Sequence, residues 1–192
     1  APIGKGISRT SFMRSFMAQP TDPQRPDLVF KSLYKSFNEQ FTNASKGPFF
    51  LPLHQDDLHF FSGLRLLAKD NQAEFDSQLL SLTKVLIDSL NEKEIAKRAP
   101  SVEANEKGIS KLGKMLSARG IVGFDGHIKF LRSLQDLRSK SAAHRKGSSY
   151  DALIEDLHLS DVGQKAVFSE LLASAVKFLN FLHANLEPIA KR

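Results

Sequence analysis

The chain has 192 residues, 41% hydrophobic and 25% charged, with a formal charge of +6, which suits one globular domain with a substantial core. It has no cysteine, which excludes disulfides, thiolate metal sites and cysteine nucleophiles and fits a reducing, cytoplasmic setting. No run approaches the roughly 18 consecutive apolar residues of a spanning helix, so no membrane association is expected.

Residues 1–26 carry Pro2, Gly4, Gly6, Pro20, Pro23 and Pro26 and read as a loosely attached N-terminal segment. They are basic but lack the continuous apolar region of a secretory signal; a mitochondrial-type leader is the alternative. Gly4-x-Gly6 has no strand before it and is not a phosphate loop. Ala1 stands where a start methionine would, so either Met is removed or the chain is cut from a longer protein.

Residues 27–192 read as a single α-helical domain. Phe30, Leu33, Tyr34, Phe37 and Phe41 recur at helical spacing and predict a helix over 27–43, with Pro26 placed to start it. Fifteen Phe against two Tyr and no Trp put much of the core volume into Phe. Lys46-Gly47-Pro48 ends the helix, Pro52 keeps Leu51 extended, and a short helix follows over about 56–67. His54, Asp56, Asp57 and His59 have metal-ligand character, but without a third spaced cluster they read as a capped helix start with surface or half-buried histidines.

Asn71 and Glu74 resemble a capping box. Phe75, Leu79, Leu82, Leu86 and Leu90 extend the next helix to about Arg98, before Pro100. Ile109, Leu112, Met115 and Leu116 make a shorter helix ending at Gly120. Ile128, Leu131, Leu134 and Leu137 carry a helix over about 125–143, which Gly147 stops. Residues 150–157 form a short helix or turn. Asp161 then caps a last helix over about 162–186 that is apolar on nearly every side and is buried on both flanks or faces a partner. With no alternating strand pattern, the fold expected is all-α, a bundle of four main helices plus short ones.

The chemistry concentrates in 129–146. Lys129, Arg132, Arg138, Lys140, Arg145 and Lys146 oppose the single Asp136, a local excess of +5 that suits a polyanion such as RNA. On a helical wheel Arg138 falls within roughly 60° of Leu131 and Leu134, along the apolar stripe. A guanidinium cannot shed its charge there and requires an anion, either Asp88, Glu155 or Glu170 from another helix or a ligand phosphate. His144 follows six residues later, about 120° round an ideal helix. Where the two converge, an imidazole can move the proton of a ribose 2′-hydroxyl and the arginine can bind the adjacent phosphate. Without convergence, Arg138 is a salt-bridge residue and His144 a helix C-terminal residue favoured by the dipole. His127, His158 and His183 are weaker candidates to join such a site.

The segment Leu134–His144, LQDLRSKSAAH, resembles the R-x4-6-H signature of the HEPN superfamily. The resemblance covers this motif and, more loosely, the helices from about 70 to 186. It implies a small all-α bundle, a homodimer with two Arg–His pairs in one cleft, and metal-independent endoribonuclease activity of the kind found in toxin–antitoxin and other defence systems. Other members only bind RNA, nucleotides or protein. Arg138 and His144 take the catalytic roles that the motif assigns, and Ser139 a supporting one. Ser139 departs from the pattern, since Asn, Asp or His is common there and serine is smaller. Arg132, Lys140, Arg145 and Lys146 are RNA-backbone contacts on the charge argument. No cofactor or metal is implied, and an antitoxin or fused domain is the further partner. The competing expectation is a non-catalytic helical dimerisation or interaction module of a larger protein, with Arg138 structural.

Overall fold

The computed structural model describes residues 25–45, 47–103, 105–142, 155 and 163–186, with the backbone alone for 140–142. The N-terminal segment up to residue 24, the 150–157 element apart from Glu155, and Asp161 lie outside them. The fold is all-α. Its helices are α1 (Pro26–Ser45), α2 (Leu58–Ser62), α3 (Gln72–Thr83), α4 (Glu92–Ala96), α5 (Gly108–Ala118), α6 (Asp125–Ala142) and α7 (Gln164–Leu186). Among the described residues the one β-type pairing is an isolated antiparallel bridge between Phe50 and Leu90.

Helix α1 starts at Pro26, whose missing N–H is no loss in a first turn. Asp27 in that turn is buried, and its carboxylate accepts from the Arg25 guanidinium at 2.6 Å and from the Leu66 backbone N–H at 3.2 Å. Burial pushes the Asp27 pKa up, but these donors outweigh it and hold the group below its ordinary value. The buried face of α1 is Phe30, Tyr34, Phe37 and Phe41, the periodic set that the spacing predicts. Helix α1 lies along α7.

The segment after α1 runs into the core. Phe49 and Phe50 are fully buried; Phe50 stacks on Tyr34 at 4.5 Å, and Phe49 meets Phe37 and Phe41 edge-on at 5.1 Å. Asn38 holds this segment with both ends of its amide. Its Nδ2 donates to the Phe50 carbonyl at 3.0 Å and its Oδ1 accepts the Phe50 N–H at 2.8 Å.

Helix α3 is capped as the Asn71/Glu74 pattern predicts. Asn71 Oδ1 accepts the Glu74 N–H at 2.9 Å, and the Glu74 carboxylate turns back to accept the Ala68 and Lys69 N–H groups at 2.9 and 2.7 Å. The expected continuous helix to about Arg98 does not form. After Thr83 the chain widens into a π-helical turn over Lys84–Asp88, breaks at Ser89–Asn91 and restarts as the short α4. The cause is pairing. Leu51 N–H donates to the Ser89 carbonyl at 2.6 Å, Asn91 N–H donates to the Phe49 carbonyl at 2.9 Å, and Asn91 Nδ2 reaches the Pro48 carbonyl at 2.8 Å. These bonds satisfy the buried segment 48–51 and take Ser89–Asn91 out of helical geometry.

Helix α5 closes at Gly120, whose φ of +67° is the left-handed conformation that favours glycine at a helix end. Helix α6 packs against α3, α5 and α7. Helix α7 buries Val167, Phe168, Leu171, Leu172, Ala175, Phe178, Leu179, Leu182 and Leu186. It is the described helix long and apolar enough to cross a membrane, with a mean hydropathy of 1.2 over its most apolar window, and it forms a core wall beside α1, α3 and α6.

Candidate functional site

Ile128, Leu131, Leu134 and Leu137 on α6 are buried. They follow one another at intervals of three, so the buried row slips round the helix by roughly 60° at each step. By the level of Leu137 the core has moved off, and Arg138 falls at its margin. Its side chain is 37% exposed, not sealed in the stripe as the wheel predicts.

Of the three carboxylates that the sequence offers as partners, Asp88 is the one in contact. Asp88 Oδ2 lies 4.0 Å from an Arg138 guanidinium nitrogen and is itself 33% exposed. Glu155 and Glu170 are exposed. The Arg138–Asp88 contact is long. Charge-assisted N–H···O bonds sit near 2.7–2.9 Å, and the pairs Arg25–Asp27 and Arg98–Glu94 close to 2.6 Å. Arg138 is thus oriented by Asp88 and still open to a second anion.

Asp88 ends the π-helical turn that Lys84 begins. Lys84 Nζ is 3.7 Å from Asp57 Oδ2 and 5.7 Å above the Phe60 ring. The turn therefore connects the α2 region to Arg138 through a row of alternating charge, Asp57, Lys84, Asp88 and Arg138. Sequence reasoning missed Lys84, which carries no motif and becomes recognisable only once the helix is known to widen there.

The other predicted site residues have different outcomes. The Ser139 hydroxyl donates to the Gln135 carbonyl at 3.0 Å and so is engaged with its own helix. Arg132 is exposed. His144, Arg145, Lys146 and the Lys140 side chain lie outside the described residues, as does His158. His127 packs against Phe181 and Phe178, with ring centroids at 4.5 and 5.9 Å, and burial lowers its pKa. His183 lies against Phe37 and within hydrogen-bond reach of the Ser36 hydroxyl at 3.2 Å. Both histidines contribute to packing between helices.

His54 Nδ1 accepts the Asp56 N–H at 3.3 Å, and His59 Nδ1 lies 2.7 Å from the Asp56 carbonyl. This is the capped helix start expected of the segment, with both histidines exposed. Among the described residues no group of three His, Asp or Glu side chains is placed to hold a metal ion. Compared with protein-family models, with curated proteins and with solved structures, the chain matches none.

Proposed function

We propose that this domain binds RNA through the basic end of α6 and cleaves it without a metal, Arg138 holding the scissile phosphate and His144 moving the proton. The observation that carries the reading is the loose Arg138–Asp88 contact of 4.0 Å beside a half-exposed guanidinium. A phosphate oxygen at that surface takes up hydrogen bonds that Asp88 leaves unmade. The local excess of +5 supplies the long-range attraction. In the step proposed, the ribose 2′-oxygen attacks the adjacent phosphorus and passes its proton to the imidazole. The bond from phosphorus to the 5′-oxygen breaks, that oxygen receives a proton, and a 2′,3′-cyclic phosphate remains. A homodimer and a role in toxin–antitoxin or other defence belong to the same proposal, through the resemblance of Leu134–His144 to the HEPN signature.

The test is incubation of single-stranded RNA with purified protein in EDTA, followed by end-group analysis. Cleavage leaving cyclic phosphate ends, lost in His144→Ala and Arg138→Gln variants that melt like the parent, is the expected result. Unchanged cleavage by His144→Ala sinks the catalytic assignment. The competing reading, an interaction module with a structural Arg138, predicts a strongly lowered melting temperature for Arg138→Ala and no RNA affinity in any variant.

A further inference from the structure

A second group of cations lies on the opposite side of the π-helical turn from Arg138. Lys31 and Lys35, four residues apart on α1, place their ammonium groups 6.0 and 5.5 Å from the centre of the Phe61 ring. Lys84 does the same to Phe60 at 5.7 Å, and His59 lies against Phe60 at 4.0 Å between ring centroids. Phe60 and Phe61 are half-buried, Phe61 leaning on Tyr34 at 5.4 Å. The surface is thus two adjacent aromatic rings rimmed by three lysines.

The charge on this rim is only partly answered. Asp57 lies 3.7 Å from Lys84, whereas neither Lys31 nor Lys35 forms an ion pair with a carboxylate among the described residues. Lys31 is tethered by donation to the Ser62 carbonyl at 2.8 Å. Burial lowers the Lys31 pKa; Asp27 pulls it back up, and the Lys35 and Arg25 cations push it down again. An arriving anion would relieve that crowding.

Cations around accessible rings are how proteins hold unpaired strands. Bases lie on the rings, phosphates meet the ammonium groups, and the stacking tolerates any base. A duplex offers no unstacked base to such rings. Lys84 is shared between this surface and the row that leads to Asp88 and Arg138. We infer that Phe60 and Phe61, with Lys31, Lys35 and Lys84, form a stacking platform for unpaired bases of a single-stranded RNA whose backbone continues toward Arg138. Only the direction of that path rests on the Arg138 reading; the platform does not.

The test compares two fluorescently labelled strands of equal length by anisotropy, an oligouridine and its abasic counterpart, at fixed salt. The parent is expected to prefer the base-bearing strand. Phe60→Leu weakens binding of that strand roughly tenfold and leaves the abasic strand unchanged, and Phe60→Tyr, which keeps a ring, retains the preference. Lys35→Gln weakens both strands alike. A Phe60→Leu variant that melts like the parent and binds as it does, or loses both strands equally, overturns the platform. If Phe60→Leu discriminates while Arg138→Gln binds normally, the platform stands and the Arg138 assignment fails. If neither strand binds the parent, both fail.

Discussion

The Tyr34 and Ser89 hydroxyls meet at 3.1 Å, joining the middle of α1 to the residue that follows the π-helical turn. The Ser89 hydroxyl also lies against the Val85 carbonyl within the turn. The phenol is buried, and burial pushes its pKa from 10.0 up to about 12, with the Ser89 bond acting only weakly the other way. The position of Lys84 and Asp88 thus depends on a hydrogen bond deep in the aromatic core.

Removing that hydroxyl by Tyr34→Phe is expected to cost about 1 kcal/mol of stability, read from urea unfolding. It also changes the alkaline behaviour. The folded phenol keeps its proton to higher pH than the unfolded one. Its contribution is complete below pH 10 and falls away as the pH climbs from 10 to about 12. Melting temperatures across this range should fall more steeply for the parent than for Tyr34→Phe. Parallel curves refute the assignment.

Glu74 gives the acid-side counterpart. Donation from the Ala68 and Lys69 N–H groups is the main cause that brings its pKa from 4.5 to about 2; partial burial opposes this, and Arg65 adds to it. A carboxylate with a depressed pKa contributes stability above its unfolded value and loses it as pH falls toward the folded one. The parent melting temperature should therefore decline between pH 4.5 and about 2, and Glu74→Gln should flatten that part of the curve. An identical acid slope in the variant would count against the capping geometry.

Asn38→Ala removes both bonds that hold Phe50 and leaves a buried backbone donor and acceptor without partners. The expected loss is on the order of 2 kcal/mol, measured by chemical denaturation. Hydrogen exchange at Phe50 and Leu51 should accelerate together. Protection that persists at both amides would show that the segment is held by packing alone.

The start of α7 offers a double-mutant test. Asp70 Oδ1 accepts the Lys165 N–H at 3.0 Å and so caps a helix far along the chain. A methyl group on Gly163 would collide with the same Asp70 carboxylate. Gly163→Ala should cost about 1 kcal/mol in the parent, the worth of a cap, and much less in an Asp70→Ala background. Equal costs in both backgrounds would mean that Asp70 is not the obstacle.

The helices of this fold are readable from periodicity wherever the buried face keeps one register. Phe30, Tyr34, Phe37 and Phe41 predict α1, and Ile109, Leu112, Met115 and Leu116 predict α5. The break after Asp88 is hidden because Leu82, Leu86 and Leu90 keep a helical spacing of four and all three remain buried. A local signal does exist. Asn91 and Glu94 repeat the spacing of Asn71 and Glu74, and Asn91 Oδ1 does cap the Glu94 N–H at 3.2 Å. Arg138 misleads for a different reason. A wheel compares it with Leu131 and Leu134, whereas the core at its own level follows Leu137, which is 2% exposed. Lys84, Phe60 and Phe61 belong to no sequence pattern and are brought together only by tertiary packing.

The π-helical turn also sets how this chain tolerates changes in length. Bonding across five residues instead of four accommodates a surplus residue within Lys84–Asp88. Deleting that residue would restore ordinary helix and rotate everything after it by roughly 100°. Leu90 would leave Phe50, and Asp88 would leave Arg138. The loop between Gly120 and Gly123 is the opposite case. Both glycines have open space around them, and Val122 is 84% exposed. Insertions belong at that loop, while a deletion of one residue near Val85 would separate the core from the charged row in a single step.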